Sequence, residues 1–361
     1  MSLNIEMLIQ QMVKKEASDL HVSVGMPPAL RINGSIYKLK TDPLSAEDTK
    51  NLCYSLLTDE QKREFEAKKE LDFSFGVKKL ARLRANLFVQ RGTVAGVFRR
   101  IYREIPVLED LGFPEHIKDL INRPFGLVLV TGATGSGKST TLAAFLEELN
   151  RSRRSHVITI EEPIEYTFKH NKCVINQREV GADCESFSTA LRQALREDPD
   201  VICVGEMRDE ATAEMALRAA ETGHLVFSTV HTNGAISSVN RLVQMFPQDR
   251  QQYIRTLLSF SLEAVVSQAL CERSDKKGRV LAYEYLTMTP AIRHLIRDGK
   301  MHQVYSQMQI GQDQHGMRVL NQSLLELVKK GIIDEETAQI HSPDVEDLRK
   351  YVRESRIRKA V

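Results

Sequence analysis

A strand, a glycine-rich loop and a helix are predicted to follow one another in residues 127–150. The loop carries the pattern GxxxxGK(S/T), which binds phosphates when a strand precedes it and a helix follows it. Its glycines let the backbone close around an anion, so that amides and the positive end of the helix meet phosphate oxygens. Lys138 is expected to reach the β- and γ-phosphates, and the Ser139 hydroxyl is expected to bind Mg²⁺. The stretch predicts a nucleoside triphosphate site made by Gly132, Thr134, Gly135, Ser136, Gly137, Lys138, Ser139 and Thr140.

A carboxylate follows the apolar strand predicted at residues 201–204, in the place of a Walker-B acid. That residue is Glu206, which would hold the Mg²⁺ shell or polarise the attacking water. Gly205 stands where an Asp is usual. Ligands of open parallel sheets bind outside the carboxyl ends of the strands, so Glu206 is expected beside the loop.

Three further carboxylates follow the strand predicted at residues 157–160. One of Glu161, Glu162 and Glu165 could act as general base toward the attacking water. A surface acidic pair is the simpler interpretation of Glu161 and Glu162. Glu165 lies beyond a proline, which favours a loop position that faces the nucleotide.

Two histidines, His224 and His231, flank the strand predicted at residues 225–230, and both are expected near the carboxyl edge of the sheet. A lone histidine in such a place more often packs or forms hydrogen bonds than takes part in catalysis. As neutral donors, the two could sense the γ-phosphate and signal its presence to the next subunit. No third ligand follows at metal spacing, so the sequence does not predict a zinc site.

Arginines lie near the ends of two strand-like runs in the first third of the chain: Arg82 and Arg84 in one, Arg99 and Arg100 in the other. Arginines that alternate along a strand usually mark a solvated face. The alternative is that some of them act as arginine fingers, which reach across a subunit boundary to a neighbour's phosphates.

Residues 1–101 predict a small α+β domain with a PAS-like arrangement. The elements expected there are helices at 5–15, 45–57 and 58–69, a hairpin at Asn33-Gly34, and strands at 71–75, 82–90 and 93–100. Ser45 and Thr58 are the predicted N-caps of the second and third helices. Residues 102–118 contain two prolines and a glycine, and they predict a linker that lets the domains reorient.

Predicted strands and helices alternate from residue 119 onward, which is the pattern of a parallel α/β sheet. Residues 119–361 are therefore expected to form one α/β domain with a helical C-terminal extension. From Ala235 the chain is predicted to be mostly helical. That part includes a long amphipathic helix at 249–271, a strand at 280–285 and a short helix at 291–298.

The composition favours a two-domain protein that works in the cytoplasm. A chain of 361 residues exceeds one typical core. Its net charge of +2 gives no basic field for nucleic acid. No apolar run approaches the roughly 18 residues that span a bilayer, so no direct membrane insertion is expected. The start lacks a signal-peptide pattern, and the five cysteines are scattered without a CxxC pair, which fits reduced thiols.

The chain resembles the secretion ATPase superfamily, and most closely its type IV pilus retraction, or twitching-motility, ATPases of the PilT type. The matching segments run along nearly the whole sequence. They are ASDLH at 17–21, ARLRAN at 81–86, GATGSGKST at 132–140, ITIEEPIEY at 158–166, NQREV at 176–180, LREDPDVICVGEMRD at 195–209, AAETGHLVFSTVHTN at 219–233 and AIRHLIRD at 291–298.

The resemblance implies a PAS-like domain, then a RecA-like P-loop ATPase domain, in a hexamer that binds ATP and Mg²⁺ between subunits. It implies a motor at the cytoplasmic face of the inner membrane, which rotates a pilus platform protein there and withdraws pilin. The site residues that it implies are Glu165 as catalytic base, Glu206 as Walker-B glutamate, His224 and His231 as the histidine box, and Arg82, Arg84 and Arg99 as phosphate-facing arginines.

This chain departs from the family pattern at three positions. Glu162 stands where the acidic box usually has Asp. His294 replaces an Asn, and Asp298 replaces a Glu, in the retraction-associated AIRNLIRE helix. By the same resemblance, assembly and type II secretion ATPases are longer, with an extra N-terminal domain and a tetracysteine site, and neither feature is expected in this chain.

Three alternatives stay open at this point. The first is an accessory retraction ATPase that needs another motor beside it. The second is a non-hydrolysing, nucleotide-gated scaffold, against which the acidic and histidine boxes argue. The third is a RecA-like nucleic-acid motor, which the near-neutral charge disfavours.

Overall fold

The computed structural model describes residues 4–32, 34–77, 80–101 and 105–360. The chain divides into two units, Met1–Glu104 with Pro163–Thr167, and Ile105–Glu162 with Phe168–Val361. The predicted linker begins at residues 102–104, which lie outside the described residues, and its bounds stay a prediction.

The first unit contains a six-stranded antiparallel sheet with the strand order β3-β2-β1-β6-β5-β4. Its elements are α1 (Ile5–Lys14), β1 (Asp19–Val22), β2 (Ala29–Ile32), β3 (Ser35–Lys38), α2 (Ala46–Tyr54), α3 (Asp59–Lys68), β4 (Glu70–Val77), β5 (Ala81–Gln90) and β6 (Thr93–Ile101). The predicted hairpin joins β2 to β3, where Ile32 pairs with Ser35. Its Asn33 lies outside the described residues.

Both predicted helix N-caps in this unit are confirmed. The Ser45 hydroxyl accepts from the amide of Asp48, and the Thr58 hydroxyl accepts from the amide of Gln61, each within a capping box. The helices pack on one face of the sheet, where Leu83 of β5 is buried in the same core as residues of α1, α2 and α3. The opposite face of β5 carries Arg82 and Arg84, because side chains alternate along a strand.

The second unit contains a seven-stranded sheet with the order β13-β12-β7-β11-β10-β8-β9, parallel except for β13. Its elements are a 3-10 helix (Glu115–Asn122), β7 (Gly126–Thr131), α4 (Lys138–Ser152), β8 (His156–Glu161), β9 (Val174–Glu179), α5 (Phe187–Ala194), β10 (Val201–Val204), α6 (Glu210–Glu221), β11 (Leu225–Val230), α7 (Ala235–Gln244), α8 (Gln248–Ser261), β12 (Leu262–Glu272), β13 (Arg279–Thr287), α9 (Pro290–Arg297), a 3-10 helix (Met301–Gln303), α10 (Val304–Ile310), α11 (Gln312–His315), α12 (Leu320–Lys329), α13 (Glu335–His341) and α14 (Val345–Ala360).

Helices cover both faces of this sheet. All six residues of β7 are buried, with Leu127 and Leu129 in the core that contains α5–α9. Val128 and Val130 belong to the core on the other face, which contains α4 and the first 3-10 helix. The carboxyl ends of β7, β10 and β11 therefore meet at one edge of the sheet. The three segments that follow these strands contain candidate site residues, and the predicted α/β architecture places all three segments at that edge.

The long helix predicted at 249–271 is wrong in its second half. The helix α8 ends at Ser261, and the chain continues as β12 between β7 and β13. Neighbouring strands on both sides and helices on both faces bury most of β12, so its apolar run lacks the alternation of a half-exposed strand. A short apolar run of this kind fits a helix or a strand, and here tertiary pairing selects the strand.

A buried carboxylate connects β13 to two helix starts. Glu284 accepts from the amide of Ala235 at the start of α7 (2.5 Å) and from that of Leu320 at the start of α12 (3.3 Å). Burial raises the pKa of the Glu284 carboxyl, and the two amides oppose that rise. The contacts attach the C-terminal helices to the sheet. Within the described residues, no helix is both long and apolar enough to cross a bilayer.

Candidate functional site

The loop between β7 and α4 depends on glycine at two positions. Gly132 has φ +143°, and a Cβ there would collide with the Gln268 carbonyl oxygen and the Ser136 hydroxyl. Gly137 takes the left-handed conformation (φ +91°) directly before the first residue of α4. The backbone therefore turns tightly from the strand into the helix, as the pattern predicts.

The Lys138 side chain is folded back over this loop. Lys138 is only 7% exposed, and its Nζ donates to the carbonyl oxygens of Gly132 and Ala133, both at 2.9 Å. Nζ also lies 3.4 Å from Nδ1 of His231. The ammonium group thus lies inside the curve of the loop, where an anion would meet it.

The loop amides fit a polyphosphate. Among the described residues, the amides of Gly135, Gly137 and Ser139 have no hydrogen-bond acceptor. The first amides of a helix have no partner within the helix, and α4 begins at Lys138. Amide donors beside a buried ammonium group form the donor set that phosphate oxygens require.

Gln268 of β12 supports the loop, and no sequence pattern points to this residue. Its Nε2 donates to the Ser136 carbonyl oxygen at 2.6 Å. Its Oε1 and the Ser136 hydroxyl are buried, and neither has a hydrogen-bond partner among the described residues. Next to them lies a cavity of about 330 Å³, whose lining includes Thr134, Leu270 and Arg279. This space adjoins the loop on the β12 side and is large enough for part of a nucleoside.

His231 connects the loop to Glu206. Its Nδ1 lies 3.4 Å from Lys138 Nζ and from Thr134 Oγ1, and its Nε2 lies 3.3 Å from Glu206 Oε1. An ammonium group can only donate, so Nδ1 accepts and Nε2 carries the proton toward the carboxylate. The imidazole ring therefore lies between the Lys138 ammonium group and the Glu206 carboxylate.

Arg208 is a site residue that the sequence analysis missed. Its Nε donates to Glu206 Oε2 at 2.8 Å, and its Nη1 donates to Glu162 Oε2 at 3.0 Å. The three residues form an acid–base–acid cluster at the ends of β8 and β10. The predicted acidic group is thus divided, because Glu161 instead accepts from Thr159 at 2.6 Å and from Gln177 at 3.1 Å.

The backbone explains why position 205 is glycine. A Cβ there would lie 3.2 Å from the Ile160 carbonyl oxygen and 3.3 Å from the Glu161 Cα. The Gly205 amide already donates to the same Ile160 oxygen at 2.8 Å. An aspartate, the usual Walker-B residue, would meet the same backbone atoms, so β8 and β10 would have to move apart by a few tenths of an ångström to accept it.

Gly205→Ala is expected to lower the free energy of unfolding by about 1–3 kcal/mol, since the contact is with backbone that cannot rotate away. Chemical denaturation measures this change. Gly76→Ala is the matched control, because a Cβ at that strand position meets nothing within 4 Å. Equal stability changes in the two variants would contradict the close-approach argument.

The expectation that both histidines lie at the carboxyl edge is wrong for His224. This residue precedes β11, and its carbonyl oxygen accepts from the amide of Gly126, the first residue of β7. Its Nδ1 lies 3.0 Å from the carbonyl oxygen of Ala219 in α6. Seven residues along an extended strand separate two positions by about 20 Å, so His224 lies at the opposite edge from His231.

The remaining predicted residues lie in the first unit. Arg99 donates through Nε to Asp19 at 2.8 Å, and Arg84 Nε lies 3.6 Å from Asp72. Glu165 is exposed in the segment Pro163–Thr167. The catalytic roles predicted for these residues, and for Arg82, stay predictions.

Comparison with known proteins places the chain among secretion proteins. The family model of type II/IV secretion system proteins matches residues 2–341. A type IV pilus retraction ATPase, PilT, of Pseudomonas aeruginosa is 47% identical over 93% of this chain and 97% of its own length. A type IV pilus ATPase, PilU, of the same organism is 39% identical over 97% of this chain and 92% of its own length.

A solved structure agrees with these relatives. The crystal structure of the pilus retraction motor PilT with bound ADP superposes with a TM-score of 0.91 and 50% identity, covering 96% of this chain and 99% of that one. The predicted fold class, a RecA-like P-loop ATPase domain after a smaller α+β domain, is thereby confirmed.

Proposed function

The chain belongs to the type II/IV secretion system protein family, and from that premise we propose that it is an ATP-hydrolysing motor that retracts type IV pili. The relatives that match it over nearly their full length include a pilus retraction ATPase. Identity to PilT exceeds identity to PilU, which favours the main retraction motor over an accessory one.

One arrangement carries the proposal: Lys138, His231 and Glu206 lie in a connected row at the carboxyl edge of the sheet. Phosphoryl transfer needs positioned cations and an oriented water more than covalent chemistry. The row offers an ammonium group for phosphates, an imidazole and a carboxylate. A passive scaffold needs no such water-orienting set.

Mg²⁺ would be held by the Ser139 hydroxyl and, through its water shell, by Glu206. Bound there, the ion neutralises charge on the β- and γ-phosphates. The donor set fits, since Ser139 lies in the first turn of α4 and Glu206 follows β10, which β11 alone separates from β7 in the sheet. Glu206 would orient the attacking water and Glu165 would accept its proton. His231 would report the γ-phosphate by its bond to Glu206, which Arg208 also holds.

The proposed assembly is a homo-hexamer in the cytoplasm, peripheral at the inner membrane, where it would turn a pilus platform protein. Arg82, Arg84 and Arg99 would then face the phosphates of a neighbouring copy, and His224 would lie on the signalling route to the next subunit. Light scattering tests the assembly directly, because six copies of a 41.0 kDa chain give a mass near 246 kDa, obtained as 6 × 41.0.

Deletion of the gene is expected to increase the number of surface pili and to abolish twitching, because pili would assemble without withdrawal. Electron microscopy and single-cell tracking measure the two effects. A plasmid copy with Glu206→Gln should fail to restore movement, whereas wild type should restore it. Bare cells would instead indicate an assembly motor, and an unchanged pilus count would contradict the role of main retraction motor.

A further inference from the structure

Four charged residues lie in one row across the first unit's sheet, on the face opposite to the helices. Arg31 of β2 pairs with Asp19 of β1, Asp19 pairs with Arg99 of β6, and Arg99 pairs with Arg84 of β5. Directly opposed residues of neighbouring strands share one face of a sheet. The row therefore sets three guanidinium groups against one carboxylate, with Asp72 of β4 near its Arg84 end.

Asp19 is the buried centre of this row. Its side chain is only 4% exposed, although it lies on the face that lacks helices. Its Oδ1 accepts from Arg99 Nε at 2.8 Å, and its Oδ2 accepts from the Ser18 hydroxyl at 2.8 Å. Arg31 Nε lies 3.6 Å from Oδ2. The two arginines flank the carboxylate, so it is held from both neighbouring strands.

Arg99 is fixed at one end and exposed at the other. Its side chain is 70% exposed, and in the described part of the chain neither Nη has a hydrogen-bond partner. A guanidinium fixed through Nε still presents both terminal groups, which can bind two oxygens of one phosphate. Arg84 lies beside Arg99, but its Nε is 3.6 Å from the carboxylate of Asp72, which is exposed.

The Asp19 carboxylate stays charged over the working pH range. Burial opposes its ionisation, but the hydrogen bonds from Arg99 and Ser18 outweigh burial and hold its pKa below the ordinary value. A buried carboxylate with such partners contributes little net stability compared with an apolar residue of similar size. Its effect is geometric, because it removes rotamer freedom from Arg99.

We propose that Asp19 is a positioning residue for Arg99, which it holds so that both Nη groups can bind a phosphate of the nucleotide on another copy of this chain. The inference rests on the proposed function, because it requires a hydrolysed nucleotide. The ASDLH segment contains Asp19 and takes no part in phosphate binding at the P-loop. The inference gives this segment a role in setting the rate of hydrolysis.

Phosphate release by the full-length assembled protein tests this role. Arg99→Ala is expected to lower kcat by about 100-fold, a modest value for an arginine finger. Asp19→Ala should lower kcat by about 10-fold and change KM for ATP by less than about 3-fold, because Arg99 remains present but mobile. Asp19→Asn, which keeps an acceptor oxygen and the side-chain shape, should fall between Asp19→Ala and wild type.

The double variant Asp19→Ala/Arg99→Ala separates positioning from folding. If Asp19 acts through Arg99, the double variant should match Arg99→Ala alone, since interacting residues are not additive. Asp275→Asn is the matched control. That carboxylate also binds an arginine Nε, that of Arg273 at 3.0 Å, but in the turn between β12 and β13, and its loss should leave kcat unchanged.

Each result decides the question. Asp19→Ala added to Arg99→Ala could lower kcat by the same factor as Asp19→Ala alone. That result would show that Asp19 acts independently of Arg99, and it would overturn the proposal. Normal kcat in both Asp19 variants would also overturn it while leaving the proposed function intact. An inactive wild-type protein would overturn the proposed function itself. Thermal melting identifies a misfolded Asp19→Ala, in which case Asp19→Asn and its double variant with Arg99→Ala give the answer.

Discussion

Lys138→Ala is expected to abolish ATP binding at micromolar concentrations. The ammonium group is the buried cation of the loop, and each charge-assisted hydrogen bond that it makes contributes about 1.5–3 kcal/mol. Two such bonds to phosphate oxygens correspond to an affinity loss of at least about 100-fold. Titration with a fluorescent ATP analogue measures the dissociation constant directly.

The matched control lies on the same helix. Arg151 of α4 is also a cation, but it lies in the last turn of that helix, at the end away from the loop, and is bonded to Glu147. Arg151→Ala should bind ATP like the wild type. If Lys138→Ala kept wild-type affinity while folding normally, the assignment of this loop as the phosphate site would be wrong.

Glu206→Gln is expected to bind ATP and to stop its turnover. The amide keeps the size of the side chain and can still contact His231, but it removes the negative charge that we propose orients water and supports Mg²⁺. Loss of such a group lowers kcat by about 10²- to 10⁴-fold. Phosphate release and nucleotide titration on the same preparation separate the two effects.

Glu210→Gln is the control for this variant. Glu210 starts α6 four residues later, and its carboxylate is bonded to Arg250 instead. It should hydrolyse ATP at the wild-type rate. A Glu206→Gln protein with normal turnover would remove Glu206 from the chemistry and leave the acidic segment at 161–165 as the remaining source of a catalytic carboxylate.

The phosphate-loop pattern and the three helices of the first unit could be predicted from local sequence. The GxxxxGK(S/T) pattern depends on contiguous residues, and its glycines are needed for backbone reasons that hold in any chain. The capping positions Ser45 and Thr58 are local in the same sense. Such features need no knowledge of distant partners.

Partners from distant segments could not be predicted. Gln268 supports the loop from a strand about 130 residues later, and that strand itself was predicted as a helix. Arg208 lies two residues from Glu206, but only the fold brings Glu162 to its other side. Strand pairing across the sheet decides these contacts, and this pairing cannot be inferred from local patterns in a single sequence.

The error at His224 has a simpler cause. The two histidines flank one strand, and a strand has two ends at opposite edges of the sheet. Six residues of β11 separate them, so only one can lie at the carboxyl edge. The direction of the strand shows that His231, which follows its last residue, is the histidine at the carboxyl edge.

The contacts of Lys138 turn nucleotide binding into an exchange reaction. Its Nζ already has the carbonyl oxygens of Gly132 and Ala133 as partners, so a phosphate must replace bonds that exist rather than satisfy a solvated charge. The net gain in binding free energy is the difference between the hydrogen bonds to phosphate and those to the loop carbonyl oxygens. A triphosphate offers this lysine more oxygens than a diphosphate does. The carbonyl oxygens of the loop therefore compete more effectively for Nζ with the diphosphate product than with the triphosphate. Internal competition of this kind promotes release of the spent nucleotide and helps a cyclic machine to begin its next stroke.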